Sequence, residues 1–342
     1  MSPSAADIAS RVVRWQRGHG RSHLPWQGTR DPYRVWLSEV MLQQTQVTTV
    51  LAYYERFLQR FPDVRVLADA DLDEVLSLWS GLGYYSRARN LHRCAHAVVR
   101  DHGGEFPRSA AALAQLPGIG RSTAAAIAAF CWGERAAILD GNVKRVLARA
   151  LAFDGDLAQV AQERALWQQA TELLPDDPAD MPAYTQGLMD LGATVCLPRQ
   201  PNCLLCPLEP VCAARGAQAQ DRYPVRTRKL RRTAEAWWLL RAQAGDGAVW
   251  LHKRPPTGVW AGLYCLPAFA SREALLQALP AGVQAQDDAP VLHVLTHKDL
   301  HLHPVRVTVA QREWKPAGGS WFGPGEWPAL GLPAPVRKLL SG

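Results

Sequence analysis

The sequence predicts two domains in series, an all-α domain followed by a smaller mixed α/β domain, and three observations carry that prediction. A length of 342 residues is more than one ordinary core holds and enough for two. From Ile8 to about Ala214, apolar residues recur at three- and four-residue spacing, separated by short loops carrying Pro, Gly and Asp. Further on the period falls to two, with Val305, Val307 and Val309 alternating with Arg306 and Thr308.

The clearest helix begins after Asp31-Pro32, a capping residue followed by a proline at the first helical position. Val35, Val40, Val47, Leu51, Tyr54 and Leu58 then read as one continuous apolar stripe. Leu116-Pro117-Gly118-Ile119-Gly120-Arg121-Ser122-Thr123 leads into a second apolar helix, Ala124 to Phe130. Between Arg222 and Arg232, six of eleven residues are basic and none is acidic, which predicts an extended linker, either a solvated hinge or a strap across phosphates. Beyond it, Trp237 to Arg241 and Val249 to His252 read as strands joined through the turn Gly245-Asp246-Gly247. The expected boundaries are therefore 1–216 for the helical domain, 217–232 for the basic linker and 233–342 for the α/β domain. The chain has no internal repeat and no low-complexity tract.

With 38 Lys plus Arg against 31 Asp plus Glu, the net charge of +7 suits a polyanionic partner, or else a solubilising surface. No stretch approaches the ~18 apolar residues of a membrane span, and Met1 to Gly20 alternates charge with short apolar runs. The expectation is a monomeric cytoplasmic protein without a signal peptide or a membrane partner.

Seven cysteines make an odd number, and four of them fall between Cys196 and Cys212, which argues for a metal in a reducing compartment rather than a disulfide framework. Cys196, Cys203, Cys206 and Cys212 stand at C-x6-C-x2-C-x5-C, in a loop punctuated by Pro198, Pro201, Pro207 and Pro210. By softness, four thiolates suit zinc and a [4Fe-4S] cluster equally. Zinc ribbons present two separated C-x-x-C pairs, whereas here one pair is flanked by single cysteines, and this favours iron and sulfur. Cys94, Cys131 and Cys265 sit in apolar company and read as core thiols.

Gly118 and Gly120 let the backbone turn tightly before a helix whose first amides then face outward as a phosphate site. Such a contact positions a nucleic acid without reading its sequence. Twenty residues beyond Gly120, Asp140-Gly141-Asn142-Val143 places an acid before another helix start, where an N-cap is its ordinary role.

These pieces occur in one order with Trp36-Leu37-Ser38-Glu39-Val40-Met41-Leu42-Gln43-Gln44-Thr45 and Gly81-Leu82-Gly83-Tyr84-Tyr85. The set resembles the MutY adenine DNA glycosylases of the helix-hairpin-helix superfamily over essentially the whole chain. The hairpin, the aspartate and the cysteine loop are shared with relatives such as endonuclease III. The segment around Glu39 is the part similar to the adenine branch. The resemblance implies a helix-hairpin-helix catalytic domain with a [4Fe-4S] loop at 196–212, a Nudix-like second domain, and double-stranded DNA with adenine opposite 8-oxoguanine or guanine as partner.

The resemblance further implies that Glu39 is the general acid, Asp140 the carboxylate facing the sugar cation, and Asn142 its helper. Adenine is a poor leaving anion, so protonation should precede bond cleavage, and the apolar neighbours Leu37, Val40 and Met41 favour a neutral Glu39. Asp140, beside helix-start amides, is expected to face the cation as a charged group. In relatives that also cut the strand, the residue corresponding to Ser122 resembles a lysine that attacks the sugar and forms a Schiff base. Ser122 cannot form a Schiff base, which implies a monofunctional enzyme. By the same resemblance Leu24, Trp26, Gln186 and Ser122 form the adenine pocket. Gln44 and Tyr84 wedge into the duplex, while Gln43, Thr45 and Leu82 approach the opposite base. Position 22 is a serine where some relatives carry a basic residue.

His252 to Tyr264 resembles the family's C-terminal domain, which checks for 8-oxoguanine. Leu295-Thr296-His297 occupies the place of a usual Phe-Ser-His, so hydroxyl and imidazole are kept and the aromatic ring is lost. A Nudix hydrolase needs several glutamates to hold magnesium, and Ser271 to Leu276 offers only Glu273, so a binding role is expected. The rivals are an endonuclease III-like lyase, a non-catalytic electron-transfer protein and a nucleotide pyrophosphatase.

Overall fold

A computed structural model describes residues 5–227, 232–310, 312, 314–316 and 318–341. The chain divides into two compact units, one of residues 1–55, 63–65 and 93–229, the other of residues 56–62, 66–92 and 230–342. Part of the basic stretch, residues 228–231, lies outside the described residues.

Several helices of the first unit start or stop on chemistry visible in the sequence. Helix α1 (Ala5–His19) is followed by α2 (Pro32–Leu42), where the Asp31 carboxylate accepts from the Tyr33 amide and Pro32 occupies the first turn. The apolar stripe expected to run on to Leu58 is broken. Helix α2 ends at Leu42 and α3 (Val47–Arg60) begins after a turn in which Gln44 takes a φ of 58°. Spacing alone hid this break, because apolar residues stay in phase on both sides of the turn. Leu51, predicted on the stripe, is exposed, and Val50, Tyr54 and Phe57 carry the buried face of α3.

Later come α6 (Ser86–His102), the single turn α7 (Ala110–Leu113) and α8 (Arg121–Trp132). Helix α8 ends on Gly133, whose left-handed φ of 70° lets its amide reach back to Ala129. Then follow α9 (Gly141–Ala150), α10 (Val160–Glu172), α11 (Met181–Asp190) and a π turn, Leu191–Val195. Ile8, Val12, Ala126, Val143, Leu147, Met181 and Leu188 interlock as one core, which fixes α8, α9 and α11 around the site described below. Among the described residues no helix is long and apolar enough to cross a membrane.

In the second unit the short helices α4 (Val64–Asp69) and α5 (Leu72–Leu78) precede a mixed sheet. Strands β1 (Thr233–Ala244) and β3 (Lys298–Val309) pair in parallel from Thr233 opposite Lys298 to Ala244 opposite Val309. On the other edge of β1 runs antiparallel β2 (Val249–Lys253). Leu240, Ala242, Val305 and Val307 point to one face and bury Leu275 of a short helix, Arg272–Gln277, so the two-residue period seen in the sequence is the buried face of this sheet.

Candidate active site

Trp36, Leu37, Val40 and Met41 of α2 face the core, which leaves Glu39 on the side of the helix that opens to a cavity of about 550 Å³. Trp26 and Gln186 line the same cavity, so three residues far apart in sequence meet here. Trp26 is fixed edge-on against Tyr54, with ring centroids 5.3 Å apart, and Tyr54 donates to the Arg34 carbonyl at 3.2 Å. Leu24 is buried, and neither it nor Ser122 is among the residues lining this cavity.

Protein surrounds Glu39 except where it meets the cavity. Burial pushes its carboxyl up to about 8, and the charge of Asp140 raises it further in the same direction. Asp140 is the N-cap of α9: its Oδ1 accepts from the amides of Asn142 at 2.6 Å and Val143 at 3.0 Å. The positive end of the helix dipole thus faces that carboxylate. The Ser122 hydroxyl accepts from the Leu139 amide at 3.0 Å, tying α8 to the residue just before Asp140. The Asn142 side chain accepts from Arg145 at 2.9 Å, and the same guanidinium donates to the carbonyls of Gly192 and Cys196.

The glycine hairpin has the geometry its sequence demands. Gly118 takes a φ of 77°, and Gly120 caps α8 without any side-chain hydrogen bond, so the first amides of α8 have no side-chain acceptor. Arg121, exposed at the first position of α8, lies over the Trp167 ring at 3.9 Å from its centroid. Gln43 donates to the Thr123 hydroxyl at 3.3 Å, Gln44 is exposed, and the Thr45 hydroxyl donates to the Gln43 carbonyl.

In the second unit a cavity of about 700 Å³ is lined by Tyr84, Leu295, Thr296 and His297. Leu295 closes the turn through its amide to the Lys298 carbonyl at 2.8 Å, which puts Thr296 and His297 at an exposed tip. Tyr84, with a φ of 48° and 42% exposed, shares a hydrogen bond between its hydroxyl and that of Thr296. Leu82 is only 5% exposed and packs inward.

Cys196, Cys203, Cys206 and Cys212 line one cavity at the end of α9. Arg149, 3% exposed, donates to the carbonyls of Leu197 at 2.7 Å, Pro198 at 3.1 Å, Gln220 at 3.0 Å and Tyr223 at 3.2 Å. It also lies 3.4 Å from the Cys196 sulfur, and the Gln220 amide lies 3.7 Å from that of Cys203. Burial pushes the Cys206 thiol up to about 12 and raises Cys212. Among the described residues no three His, Cys, Asp or Glu side chains gather as ligands to one metal ion.

Residues 37–171 match the HhH-GPD superfamily of base excision DNA repair proteins, and residues 236–342 match the NUDIX domain. The adenine DNA glycosylase of Buchnera aphidicola subsp. Acyrthosiphon pisum (strain APS) is 34% identical over 96% of this chain and 95% of its own length. This chain belongs to the adenine DNA glycosylases. The human adenine DNA glycosylase is 46% identical over 63% of this chain and 39% of that protein. Among solved structures, a thermostable thymine-DNA glycosylase is similar with a TM-score of 0.55 and 28% identity, covering 62% of this chain and 97% of that one. An endonuclease III bound to DNA, 20% identical with a TM-score of 0.50 over 61% of this chain and 94% of that one, shares the helical fold.

Sequence reasoning missed Arg21 and Gln27, which line the cavity of this adenine DNA glycosylase, and Asp190, which lies behind its lining. Gln27 lines the cavity, accepts from the Leu24 amide at 3.2 Å, and keeps a buried side-chain NH2 without a protein partner. Its place directly after Trp26 was the available signal. Asp190 is fully buried and pairs with Arg21, a contact across 169 residues that no local pattern announces.

Proposed function

We propose that this enzyme excises adenine mispaired with 8-oxoguanine or guanine, by base flipping and acid-assisted hydrolysis of the N-glycosidic bond. The observation that carries the reading is the contrast between the two carboxyl groups. Glu39 holds its proton to about pH 8 beside a cavity able to take a base, while the Asp140 carboxylate is bound by two amides at a helix start. Glu39 gives its proton to an adenine ring nitrogen, and the C1′–N9 bond breaks with its electron pair leaving on the base. Asp140 faces the resulting oxocarbenium, with Asn142 holding it in place. A water oxygen then adds to C1′ and its proton restores Glu39, leaving free adenine and an abasic site. Leu24, Trp26, Gln186 and Ser122 shape the base pocket in this reading, Leu24 and Ser122 from behind its lining. Gln43, Gln44, Thr45, Leu82 and Tyr84 hold the opened duplex, and the amides after Gly118 and Gly120 hold its phosphates.

Within this reading, residues 1–216 excise, 217–232 link, and 233–342 read the opposite base through Leu295, Thr296 and His297. The Tyr84–Thr296 hydrogen bond supports it, because it joins a proposed wedge to the proposed reader. The four cysteines suit a [4Fe-4S] cluster: four sulfurs around one cavity, with N–H donors near two of them, are what a cluster with charged thiolates requires. Cys196, Cys203, Cys206 and Cys212 would hold it, and bound there it would supply a cross-link for the loop. The enzyme would act as a monomer on double-stranded DNA in the cytoplasm.

The test is strand scission of a duplex with adenine opposite 8-oxoguanine, with and without hot alkali, for wild type and Glu39→Gln. Cleavage only after alkali, lost in the variant, is expected. Scission without alkali, or full activity of Glu39→Gln, would overturn the proposal. For the second domain, Thr296→Ala with His297→Ala should erase the preference for 8-oxoguanine over guanine; an unchanged preference discards that assignment.

A further inference from the structure

Asp190 sits at the end of α11, fully buried, one helical turn beyond Gln186. Its Oδ1 accepts from the Gln186 side-chain amide at 2.8 Å and from Arg21 Nε at 2.7 Å, and its Oδ2 accepts from the Arg21 backbone amide at 2.9 Å. Arg21 Nη2 comes within 2.6 Å of the same Oδ1 and supplies the counter-charge. Gln186 and Arg21 both line the cavity that Glu39 lines.

A carboxylate only accepts hydrogen bonds, and an amide has one accepting and one donating end. Contact with Asp190 therefore decides which end of Gln186 points at the carboxylate and which is left for the cavity. Turning the amide over would set its oxygen against the carboxylate and give up a charge-assisted hydrogen bond in a place closed to water.

We propose that Asp190, backed by Arg21, is a positioning residue for base selection: it presents the Gln186 carbonyl to the pocket, which favours a base with an exocyclic amino group and rejects one with a carbonyl at that position. This rests on reading the cavity as the base pocket. Adenine offers an N–H donor at its 6-position, hypoxanthine offers an oxygen there, and unsubstituted purine offers neither. The three bases thus probe one oxygen atom.

The experiment measures single-turnover excision of adenine, hypoxanthine and purine opposite 8-oxoguanine by wild type, Asp190→Asn, Gln186→Ala and the double variant. In Asp190→Asn the freed amide can present either end, so the adenine-to-hypoxanthine ratio should fall by about tenfold, with purine cleaved in the same proportion to total active enzyme. Gln186→Ala should lower the ratio equally, and adding Asp190→Asn to it should change the ratio no further. An unchanged ratio in folded Asp190→Asn, or an equal loss on all three bases, overturns the proposal. Should the half-buried Arg21, left without its counter-charge, destabilise that variant, Arg21→Gln with Asp190→Asn removes both charges together and is expected to show the same lowered ratio. Failure of the pocket reading itself looks different, since wild type would then release no adenine or Gln186→Ala would keep the wild-type ratio.

Discussion

Gly192 lies so close to Asn142 that a methyl group added to it would come within 2.6 Å of the Asn142 Cβ and 3.1 Å of its backbone. The π turn after α11 presses against the first turn of α9 at the residue whose amide holds Asp140. Gly192→Ala should therefore cost about 1–3 kcal/mol of stability and lower adenine excision by displacing Asp140. Thermal melting and single-turnover kinetics measure both, and an alanine variant with wild-type melting and rate would show that the contact gives way freely.

In its proposed role as general acid, Glu39 would set a pH dependence with a definite sign. A general acid that stays protonated to about pH 8 should lose activity as pH rises through that value. Asp140 adds to the upward shift, so residual activity of Asp140→Asn should fall at a lower pH than that of wild type.

Stability follows from the same shift. The folded state keeps the Glu39 proton to about pH 8, while the unfolded chain releases it near its ordinary value of 4.5, so the native state is penalised progressively as pH rises between the two. Glu39→Gln removes that penalty. This variant should be more stable than wild type at pH 8 by about 1–3 kcal/mol, a gain that shrinks as pH falls towards 4. Equal melting temperatures at pH 8 would contradict this.

Arg149 closes the cysteine loop by donating to four carbonyls from one buried guanidinium. Lysine has no planar fork and cannot serve them all. Arg149→Lys is expected to cost about 3 kcal/mol or more and, with the proposed cluster held by the four cysteines, to lower the iron content and visible absorbance of the purified protein. Full iron content with unchanged melting would remove Arg149 from this role.

Trp167 carries Arg121 over its ring face beside the hairpin. If that pairing pre-positions a phosphate contact, Trp167→Leu and Arg121→Ala should weaken DNA binding alike. Arg121→Ala should reduce the slope of log affinity against log salt by about one. An unaltered slope would show that Arg121 meets no phosphate.

The sequence made the local features legible and the distant ones invisible. Asp140 at a helix start, the Gly118–Gly120 turn and the four-cysteine loop all depend on neighbours a few residues away, and each stands where its spacing placed it. The split between α2 and α3 was not legible, since the apolar residues flanking Gln44 keep helical phase through the turn. Leu51 consequently lies outside. Arg21 and Asp190 could not be foreseen, because an ion pair joining residues so far apart leaves no periodic trace. Nor could the parallel pairing of β1 with β3, which a long intervening segment separates.

The bare amides at the start of α8 bear on how the enzyme finds its lesion. Phosphates recur identically at every nucleotide, so a grip made of backbone donors and no side-chain cap meets the same partner at each step along the duplex. Sliding by one nucleotide exchanges one such bond for its equal. In its proposed phosphate-binding role the hairpin would thus hold the polymer while leaving the search along it nearly free of barriers, and halting would fall to the groups that meet a base.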